Sequence, residues 1–356
     1  MSIVANVYDY VIGVDTHSLD HCYVICDAGT GEPIAPAKKF PTTTAGTTRA
    51  IAWCHKLTAS GSVLAAVEGT GSYGRQLSGA LLDDGIAVAE VRPGRIGGDK
   101  SDAIDAAKAA ESVRRLDTTR LTAPRARGDR EALQIYCAAR YAISKDVVAD
   151  KQRLIALLRR IDLGIDARHG VGTAKIATII TRWARPHRSD DSTKAAARAE
   201  SVRLARRIVA GTKELRRNAT VLAKLVAGLC PGLLELAGVG PITAARILVS
   251  WSHAGKFPTE AAFAMHAGVA PLRCGSGKTD EQHHRFNYGG DRQLNSAFYW
   301  IARSRMTHSE RTKAYVDKLT ANGKTPKMAR RAVMRYVTRD IYRYLEDNSP
   351  QPAPTA

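Results

Sequence analysis

The sequence predicts an α/β domain at the N-terminus, then a long helical coiled-coil arm, then a mostly helical C-terminal domain. Short apolar segments rich in β-branched residues alternate with helical patterns up to about Arg115. Beyond that point, apolar residues recur at the helical spacing of about 3.6 along stretches that hold little Gly or Pro. We therefore place the domains at residues 1–125, 126–229 and 230–347, with a disordered tail over residues 348–356.

The N-terminal domain has a recognisable order of elements. Three strands come first in hairpin order, and helix, strand, helix, strand and helix follow. This is the element order of the RNase H-like fold. The strands are predicted at Tyr8–Val14, His21–Asp27, Ile34–Phe40, Ser62–Val67 and Ile86–Val91, and the helices at Ala45–Ala59, Tyr73–Asp84 and Ser101–Arg115, with Ser101 as the N-cap.

Two long basic helices are predicted for the middle of the chain. Asp129–Ile161 contains neither Gly nor Pro, and Thr193–Leu229 is rich in Ala, Arg and Leu. Breaks at Gly170–Gly172 and Arg185–Pro186 separate the two stretches, so a helical hairpin or a coiled-coil arm is expected. Such an arm can serve dimerisation or can clamp nucleic acid, and the sequence leaves both uses open.

The C-terminal domain begins with a pattern typical of a helix-hairpin-helix. Within Cys230–Trp251, two apolar helical segments flank Gly238-Val239-Gly240. Gly238 and Gly240 would let the backbone approach a phosphate, and the following helix N-terminus offers unpaired N–H groups. The alternative is an ordinary helical turn. Further helices are predicted at Phe257–Ala267, Arg292–Thr307 and Pro326–Tyr344, with a polar, Gly-rich loop over Gly268–Tyr288.

The charge is unevenly distributed over the 356 residues. The 53 Lys and Arg exceed the 34 Asp and Glu, giving a net charge of +19, yet residues 1–112 carry −4 and the rest carry +23. A basic excess of this size usually meets a polyanion, most often nucleic acid. A basic protein without a special partner is the alternative.

Other features of the composition narrow the class of protein. There is no apolar run of about 18 residues and no pattern of a secretory signal, so we expect a cytoplasmic protein without membrane contact. The six cysteines form no CxxC pair, which favours free thiols in a reducing compartment over a zinc site.

Four acidic residues of the N-terminal domain are placed so that they could converge. Asp15 and Glu68 each follow an apolar strand, while Asp102 and Asp105 are three residues apart and share one helix face. Converging carboxylates repel one another unless a cation neutralises them, and hard oxygen ligands suit Mg²⁺ or Mn²⁺. Two such ions form a clamp for in-line phosphodiester chemistry. Taken singly, each acid could instead be a cap or an ordinary surface residue.

Several motifs resemble one known family. GVDTH, AAVEGTGSYG and KSDAIDAAKAAE resemble, in order and spacing, the D–E–D–D motifs of the insertion-sequence 110 family of bacterial transposases. LAGVGPITAARI and HAGVAPLRCGSGKT resemble that family's C-terminal transposase domain, so the resemblance covers most of the chain. It implies a RuvC-like nuclease domain, a coiled-coil arm and a C-terminal catalytic domain. It also implies that the metal is bound by Asp15, Glu68, Asp102 and Asp105.

The resemblance further implies a serine nucleophile, and the matching residue is Ser276. Gly275 and Gly277 would leave its hydroxyl exposed, and Arg273 and Lys278 could hold a phosphate. A serine hydroxyl is a weak nucleophile and needs activation. Without the resemblance, Gly-Ser-Gly is more simply interpreted as a flexible linker.

The chain departs from the family pattern just after this serine. Lys278–Arg292 keeps the basic and glycine character but not the usual arrangement, so the contacts made there can differ. Arg285 and Arg292 remain candidates for contacts with nucleic acid. Tyr288 and Tyr299 are weaker candidates for the nucleophile.

The function implied by the resemblance is a DNA transposase or recombinase of an insertion sequence. It would cut and rejoin DNA through a phosphoserine at Ser276, with Mg²⁺ or Mn²⁺ on the acidic quartet. The implied partners are donor and target double-stranded DNA, a structured noncoding guide RNA, and further copies of the chain in a homodimer or homotetramer. The alternatives are a metal-dependent RuvC-like junction endonuclease that uses water, and a non-catalytic nucleic-acid-binding protein.

Overall fold

The computed structural model describes residues 2–91, 101–124, 128–167, 173–183, 191–274, 283–285 and 287–348. The chain divides into two compact units. The first comprises Met1–Arg127, Trp251–Thr259 and Leu345–Ala356, and the second comprises Gly128–Ser250 and Glu260–Tyr344. The three-domain division expected from the sequence stays a prediction.

Five described strands of the first unit form one sheet in the order β3-β2-β1-β4-β5. The strands are β1 (Tyr10–Thr16), β2 (Asp20–Asp27), β3 (Lys38–Pro41), β4 (Val63–Glu68) and β5 (Ala87–Val91). The first three pair antiparallel, whereas β4 and β5 run parallel to β1. The predicted mixed α/β fold is therefore confirmed, and the sheet is consistent with an RNase H-like domain.

Three helices cover the two faces of this sheet: α1 (Thr44–Thr58), α2 (Arg75–Asp83) and α3 (Asp102–Arg114). Side chains alternate along each strand, so Ile12 and Val14 of β1 join one core with α1 and α2. Val11 faces the other way and joins a second core with α3. Because both faces are covered, the central strands β1 and β4 read as nearly continuous apolar runs.

The start of α3 follows the sequence prediction, while β3 does not. The Oγ of Ser101 accepts a hydrogen bond from the backbone N–H of Ile104 at 3.2 Å, which confirms the predicted N-cap. The third strand was expected over Ile34–Phe40 but spans only Lys38–Pro41. Pro33 and Pro36 lack the N–H that a regular ladder requires, so this segment contributes only an isolated bridge from Pro33 to Cys26.

The second unit is mostly helical. Its described elements are α4 (Asp129–Arg160), α5 (Thr173–Ile180), α6 (Ser192–Leu229), α7 (Pro241–Trp251), α8 (Glu260–His266), the strands β6 (Leu272–Cys274) and β7 (His283–Arg285), α9 (Arg292–His308), α10 (Glu310–Ala321) and α11 (Pro326–Asn348). In this division Trp251, the last residue of α7, and the end of α11 from Leu345 are assigned to the first unit. The predicted tail begins inside α11 at Asn348, and residues 349–356 lie outside the described ranges.

The two long helices α4 and α6 pack side by side in opposite directions. Near one end, Asn218 Nδ2 donates to the backbone oxygen of Tyr136 at 3.0 Å. Further along, Arg207 Nε donates to Asp150 Oδ2 at 2.6 Å, so residue numbers rise on α4 as they fall on α6. The apolar residues that join α4, α5 and α6 include Leu154, Ile176 and Leu204, each almost fully buried.

The segment before α7 differs from the predicted helix-hairpin-helix. Its first element is a short 3₁₀ helix, Pro231–Glu235, rather than an α-helix. Gly238 has a φ of +78°, and a Cβ there would lie 3.0 Å from the backbone oxygen of Ile301, so this glycine permits close packing on α9. The N–H of Gly240 donates to Thr243 Oγ1 at 3.0 Å. A phosphate-binding role for the two glycines stays a prediction.

Burial lowers the reactivity of the described cysteines. Cys22, Cys26, Cys54, Cys137 and Cys230 carry free thiols, as the sequence predicts. Burial raises the pKa of the Cys54 thiol to about 12 and that of Cys137 to about 11, so neither forms the reactive thiolate near neutral pH. Among the described helices, none is long and apolar enough to cross a membrane.

Candidate metal centre and nucleic-acid interface

Two of the predicted acids lie at the same edge of the sheet. In the parallel pair of β1 and β4, Val14 is in register with Val67, so Asp15 and Glu68 follow as neighbours at the strand ends. Side-chain alternation from the α3-facing Val11 puts Asp15 on the side of the sheet that α3 covers. The carboxyl ends of adjacent parallel strands thus supply the first two carboxylates of the site.

A glycine in β1 brings α3 against these strand ends. A Cβ on Gly13 would lie 2.9 Å from the carbonyl carbon of Ala106 and 2.8 Å from the backbone nitrogen of Ala110. Only a residue without a side chain allows the helix backbone to come this close. The contact sets the first turn of α3, which carries Asp102 and Asp105, beside the end of β1.

His17 contacts two of the acids. Its Nε2 lies 3.0 Å from Asp15 Oδ2 and 3.5 Å from Asp102 Oδ1. The ligand atoms of the three side chains all lie within 4.8 Å of one another, so only a small rearrangement would bring them onto one cation. The structure therefore brings Asp15 and Asp102 together across a helix and a strand that are far apart in sequence.

Lys39 on β3 neutralises part of this charge. Its Nζ contacts Asp102 Oδ2, and this hydrogen bond holds the pKa of the Asp102 carboxyl below its usual range. The same contact raises the pKa of the Lys39 ammonium. A protein cation thus contacts one oxygen of the acidic site.

The pKa of Glu68 is sensitive to the negative charges near the strand ends. Burial raises the pKa of its carboxyl, and the nearby charges of Asp15 and Asp105 raise it further. Asp105 in turn accepts a hydrogen bond from Lys108 at 3.2 Å. Glu68, Asp15 and Asp105 are therefore electrostatically coupled, whereas the cluster of possible metal ligands found among the described residues contains Asp15, His17 and Asp102 and neither Glu68 nor Asp105. Oxygen donors with mutual repulsion fit a bound divalent cation, which would relieve the repulsion.

The segment around the predicted serine is only partly described. Ser276 and Lys278 lie outside the described residues, as does the side chain of Arg273. The flanking segments form a short antiparallel pair, β6 and β7, in which Leu272 faces Arg285. The polar stretch predicted as a loop thus contains two strands of three residues each. Strands this short show no recognisable alternation of apolar and polar residues in the sequence.

The base of this β6–β7 hairpin is held by several hydrogen bonds. Arg331 Nη2 donates to the backbone oxygens of Gly268 at 2.9 Å and Asn287 at 3.2 Å, so one guanidinium bridges the two sides of the base. Asn295 Nδ2 donates to the backbone oxygen of Ala267 at 2.8 Å. These contacts attach the base of the hairpin to α9 and α11.

A second network joins α7, α8 and α9 beneath the hairpin. Ser250 Oγ donates to Asp291 Oδ2 at 2.8 Å and lies 3.2 Å from His266 Nε2. Asp291 Oδ1 accepts from the backbone N–H groups of Gln293 and Leu294, which caps α9. The side chain of Asp291 therefore both caps α9 and accepts a hydrogen bond from α7.

Two family models match the chain. A model of IS110-type DEDD transposases, described as "Transposase", matches residues 12–162. A second model, described as "Transposase IS116/IS110/IS902 family", matches residues 230–317. The chain belongs to the IS110 family of transposases. The first match contains Asp15, Glu68, Asp102 and Asp105, and the second contains the β6–β7 hairpin.

A curated relative shows the same family name. The chain is 34% identical over 121 residues to "Insertion element IS110 uncharacterized 43.6 kDa protein" of Streptomyces coelicolor. The match covers 34% of this chain and spans only 30% of the relative's length. DEDD transposase membership suggests dependence on a divalent metal, and the carboxylates at the end of β1 and at the start of α3 fit such a role.

The predicted nucleic-acid contacts of the IS110-family chain lie in the second unit. Arg285 is exposed and lines a cavity of about 280 Å³ together with Lys324, Arg331 and Arg335. Arg292 is exposed at the first position of α9. A cavity with four cationic side chains is suited to an anion such as a phosphate, and the contacts themselves stay a prediction.

The two tyrosines considered as rival nucleophiles have different surroundings. Tyr288 is 79% exposed. Tyr299 is partly buried, and the guanidinium of Arg330 lies 5.0 Å from its ring centroid. The Tyr299 ring also makes an edge contact with Trp300, which indicates a packing role for this residue.

Sequence reasoning missed His17 and Lys39 at the acidic site. His17 stands two residues after Asp15, and residues two apart along an extended chain point to the same side. That spacing within GVDTH was a usable signal. Lys39 had none, because its contact with Asp102 joins residues 63 positions apart.

Proposed function

We propose that this chain is a DNA transposase that cuts and rejoins DNA strands with a divalent cation held by Asp15, Glu68, Asp102 and Asp105. The observation that carries the proposal is the convergence of Asp15 and Asp102 around His17 at the end of β1. It occurs in a chain whose N-terminal and C-terminal regions both match transposase models. A bound Mg²⁺ or Mn²⁺ would polarise the phosphate and stabilise the charge that develops on its oxygens.

The residues around the cation have separate tasks. Asp15 and Asp102 supply oxygen ligands from a strand end and a helix start, whose relative position is fixed by the Gly13 contact. Burial and the charges of Asp15 and Asp105 raise the pKa of Glu68, and a nearby cation would favour its charged form. Lys39 would compete with a cation for Asp102, and its ammonium is also suited to pair with a DNA phosphate.

In the proposed reaction, Ser276 Oγ attacks a phosphorus atom of the DNA backbone. One P–O ester bond forms to the serine as one P–O ester bond to a sugar breaks. The serine proton is lost, and the departing sugar oxygen gains a proton to become a hydroxyl. A hydroxyl of a second strand then reverses the step and rejoins the DNA. The family membership and the firmly anchored base of the hairpin support this role.

The α4–α6 pair is proposed to act as a coiled-coil arm that joins copies of the chain in a homodimer or homotetramer. Three large apolar residues of α4 are more than half exposed: Ile135 by 62%, Tyr141 by 53% and Val148 by 52%. Tyr141 and Val148 are seven residues apart, which is the heptad spacing of a coiled-coil seam. Two copies would also meet the need to hold two DNA duplexes during strand exchange.

The proposed nucleic-acid partners are donor and target double-stranded DNA and a structured guide RNA. The basic excess beyond residue 112 supports contact with phosphate backbones. Candidate contacts are Gly238, Gly240, Arg273, Lys278, Arg285 and Arg292. Guidance by RNA would leave the choice of sequence to base pairing.

A suicide-substrate assay tests the proposal. Nicked DNA that traps a covalent intermediate is incubated with the full chain and Mg²⁺, and adducts are separated in denaturing gels. We expect an adduct with the wild type, none with Ser276→Ala and none with Asp15→Asn. Ser60→Ala, at an exposed serine of the first unit, is the matched control and should form the adduct normally.

Two outcomes would contradict parts of this proposal. An adduct that persists in Ser276→Ala would exclude Ser276 as the nucleophile. Cleavage that depends on Asp15 but gives free 5′ phosphates and no adduct would instead support the alternative, a metal-dependent RuvC-like junction endonuclease that uses water.

A further inference from the structure

We propose that His17 Nε2 is a direct ligand of the divalent cation, together with carboxylate oxygens of Asp15 and Asp102. This inference rests on the proposed metal site and adds a nitrogen to its donor set. It makes the site a mixed imidazole and carboxylate site rather than an all-oxygen quartet.

The geometry places the imidazole between the two carboxylates. His17 Nε2 lies 3.0 Å from Asp15 Oδ2 and 3.5 Å from Asp102 Oδ1. The three donor atoms fall within 4.8 Å of one another. Imidazole and carboxylate ligands bind at about 2.0–2.2 Å from a small divalent ion, so donor atoms that share one ion lie within about 4.4 Å of each other. Only a small rearrangement would therefore bring all three onto one cation.

The backbone around His17 is fixed by a neighbouring histidine. The N–H of His17 donates to Nδ1 of His21 at 3.3 Å. His21 is only 2% exposed. It is the antiparallel partner of Thr16, so the start of β2 is held against the end of β1. His17 is therefore presented from an ordered turn, although its own side chain is about half exposed.

A simple hydrogen bond between His17 and Asp15 is the competing explanation. At an exposed site such a bond is weak, and it requires no role in metal binding. The approach of the same nitrogen to Asp102 is what favours a ligand, because one N–H cannot serve two carboxylates well whereas one cation can. The two explanations differ in what glutamine would do at position 17.

The types of ligand atom determine which metal the site prefers. Imidazole suits transition metals, whereas Mg²⁺ prefers oxygen ligands and keeps several waters. A site with His17 as a ligand should therefore bind Mn²⁺ more tightly than Mg²⁺. His17→Gln keeps a group that can donate a hydrogen bond to Asp15 but removes the imidazole, so it should lower Mn²⁺ affinity about tenfold or more and change Mg²⁺ affinity by less than about threefold.

Pulsed EPR of the full-length protein loaded with Mn²⁺ alone provides the direct test. We expect ¹⁴N modulation from a coordinated imidazole in the wild type and its loss in both His17→Gln and His17→Ala. His55→Ala is the matched control, because His55 is equally exposed and is paired with Asp84 on the other side of the sheet. Its spectrum should be that of the wild type.

The outcomes separate this inference from the proposed function. If Mn²⁺ binds in a manner that requires Asp15 but shows no ¹⁴N coupling, or if the coupling persists in His17→Gln, the His17 assignment is wrong while the metal site stands. If Asp15→Asn leaves Mn²⁺ binding unchanged, the cation binds elsewhere and both proposals fail.

Discussion

Gly13 and Ala106 meet backbone to backbone, and a Cβ on Gly13 would lie 2.9 Å from the carbonyl carbon of Ala106. This contact sets how far α3 stands from β1. It therefore also sets where Asp102 lies relative to Asp15. Asp15 follows Gly13 closely on β1, and Asp102 precedes Ala106 by about one turn of α3.

Gly13→Ala should destabilise the first unit and disrupt the metal site. The new methyl group meets backbone atoms, which cannot move aside as a flexible side chain can, so we expect a loss of about 3 kcal/mol in the free energy of unfolding. Urea titration checks the stability, and Mn²⁺ titration checks the site. Gly29→Ala is the control, since a Cβ there meets only Asp27 Oδ1 at 3.4 Å. Equal stability of the two variants would contradict the role of Gly13.

Lys39→Met should strengthen metal binding. The Lys39 ammonium contacts Asp102 and lowers the pKa of that carboxyl, so it competes with a cation for the same oxygen. Because Lys39 is about half exposed and screened by solvent, a modest gain of about three- to tenfold in Mn²⁺ affinity is expected. Lys38→Met is the control, because Lys38 lies over the rings of Phe40 and Trp53. Weaker binding in Lys39→Met would mean that Lys39 supports the site.

Asp9 should make the first unit sensitive to acid. Its Oδ2 accepts hydrogen bonds from the N–H of Ser62 at 2.7 Å and from Ser62 Oγ at 2.9 Å, and these bonds lower the pKa of Asp9 in the folded protein. The lowered pKa contributes stability that is fully present above the unfolded pKa of about 4 and is lost as the pH falls through the folded pKa.

Ser62→Ala tests this prediction. NMR titration of the Asp9 carboxyl carbon should show a higher pKa in the variant, because the Oγ donor is removed while the backbone donor remains. The stability of the variant should also fall less steeply between about pH 5 and pH 2. An unchanged Asp9 pKa would show that the hydroxyl contributes nothing.

Asp150→Ala should loosen the α4–α6 pair. The Asp150 side chain is only 3% exposed and accepts from Arg207 at 2.6 Å and from Arg153 at 3.1 Å. Both arginines are more than half exposed and can turn to water when Asp150 is lost, so a cost of about 1–3 kcal/mol is expected. Glu200→Ala, at an exposed pair with Arg203, should cost less than about 1 kcal/mol. Hydrogen exchange of α6 amides measures both, and equal effects would contradict the prediction.

Arg331→Met should free the base of the β6–β7 hairpin. It removes the donor to the backbone oxygens of Gly268 and Asn287, each worth about 0.5–1.5 kcal/mol. Amide exchange in β6 and β7 should therefore become several-fold faster. Arg330→Met, which removes a contact with the Tyr299 ring and leaves Arg331 in place, is the control. If the two variants exchange alike in these strands, Arg331 does not hold the hairpin.

Local patterns of the sequence determined much of the fold. The apolar strand ends at Asp15 and Glu68, the Ser101 cap of α3 and the two long helices could all be predicted. Each depends on side-chain periodicity or on capping within a few residues, and those are properties of neighbouring positions along the chain. The separation of charge between residues 1–112 and the rest is likewise visible in composition alone.

Only the tertiary structure decided which groups share the acidic site. His17 and Lys39 reach Asp102 because Gly13 lets α3 lie directly on β1, and because β3 adds to the same sheet two strands away. The short β6–β7 pair and the bridge at Pro33 were also unpredictable. Such contacts join distant residues, and their energies depend on packing that no local pattern encodes. The sequence alone therefore placed the carboxylates at the ends of their elements, and the packing of α3 on the sheet assembled them with a histidine and a lysine.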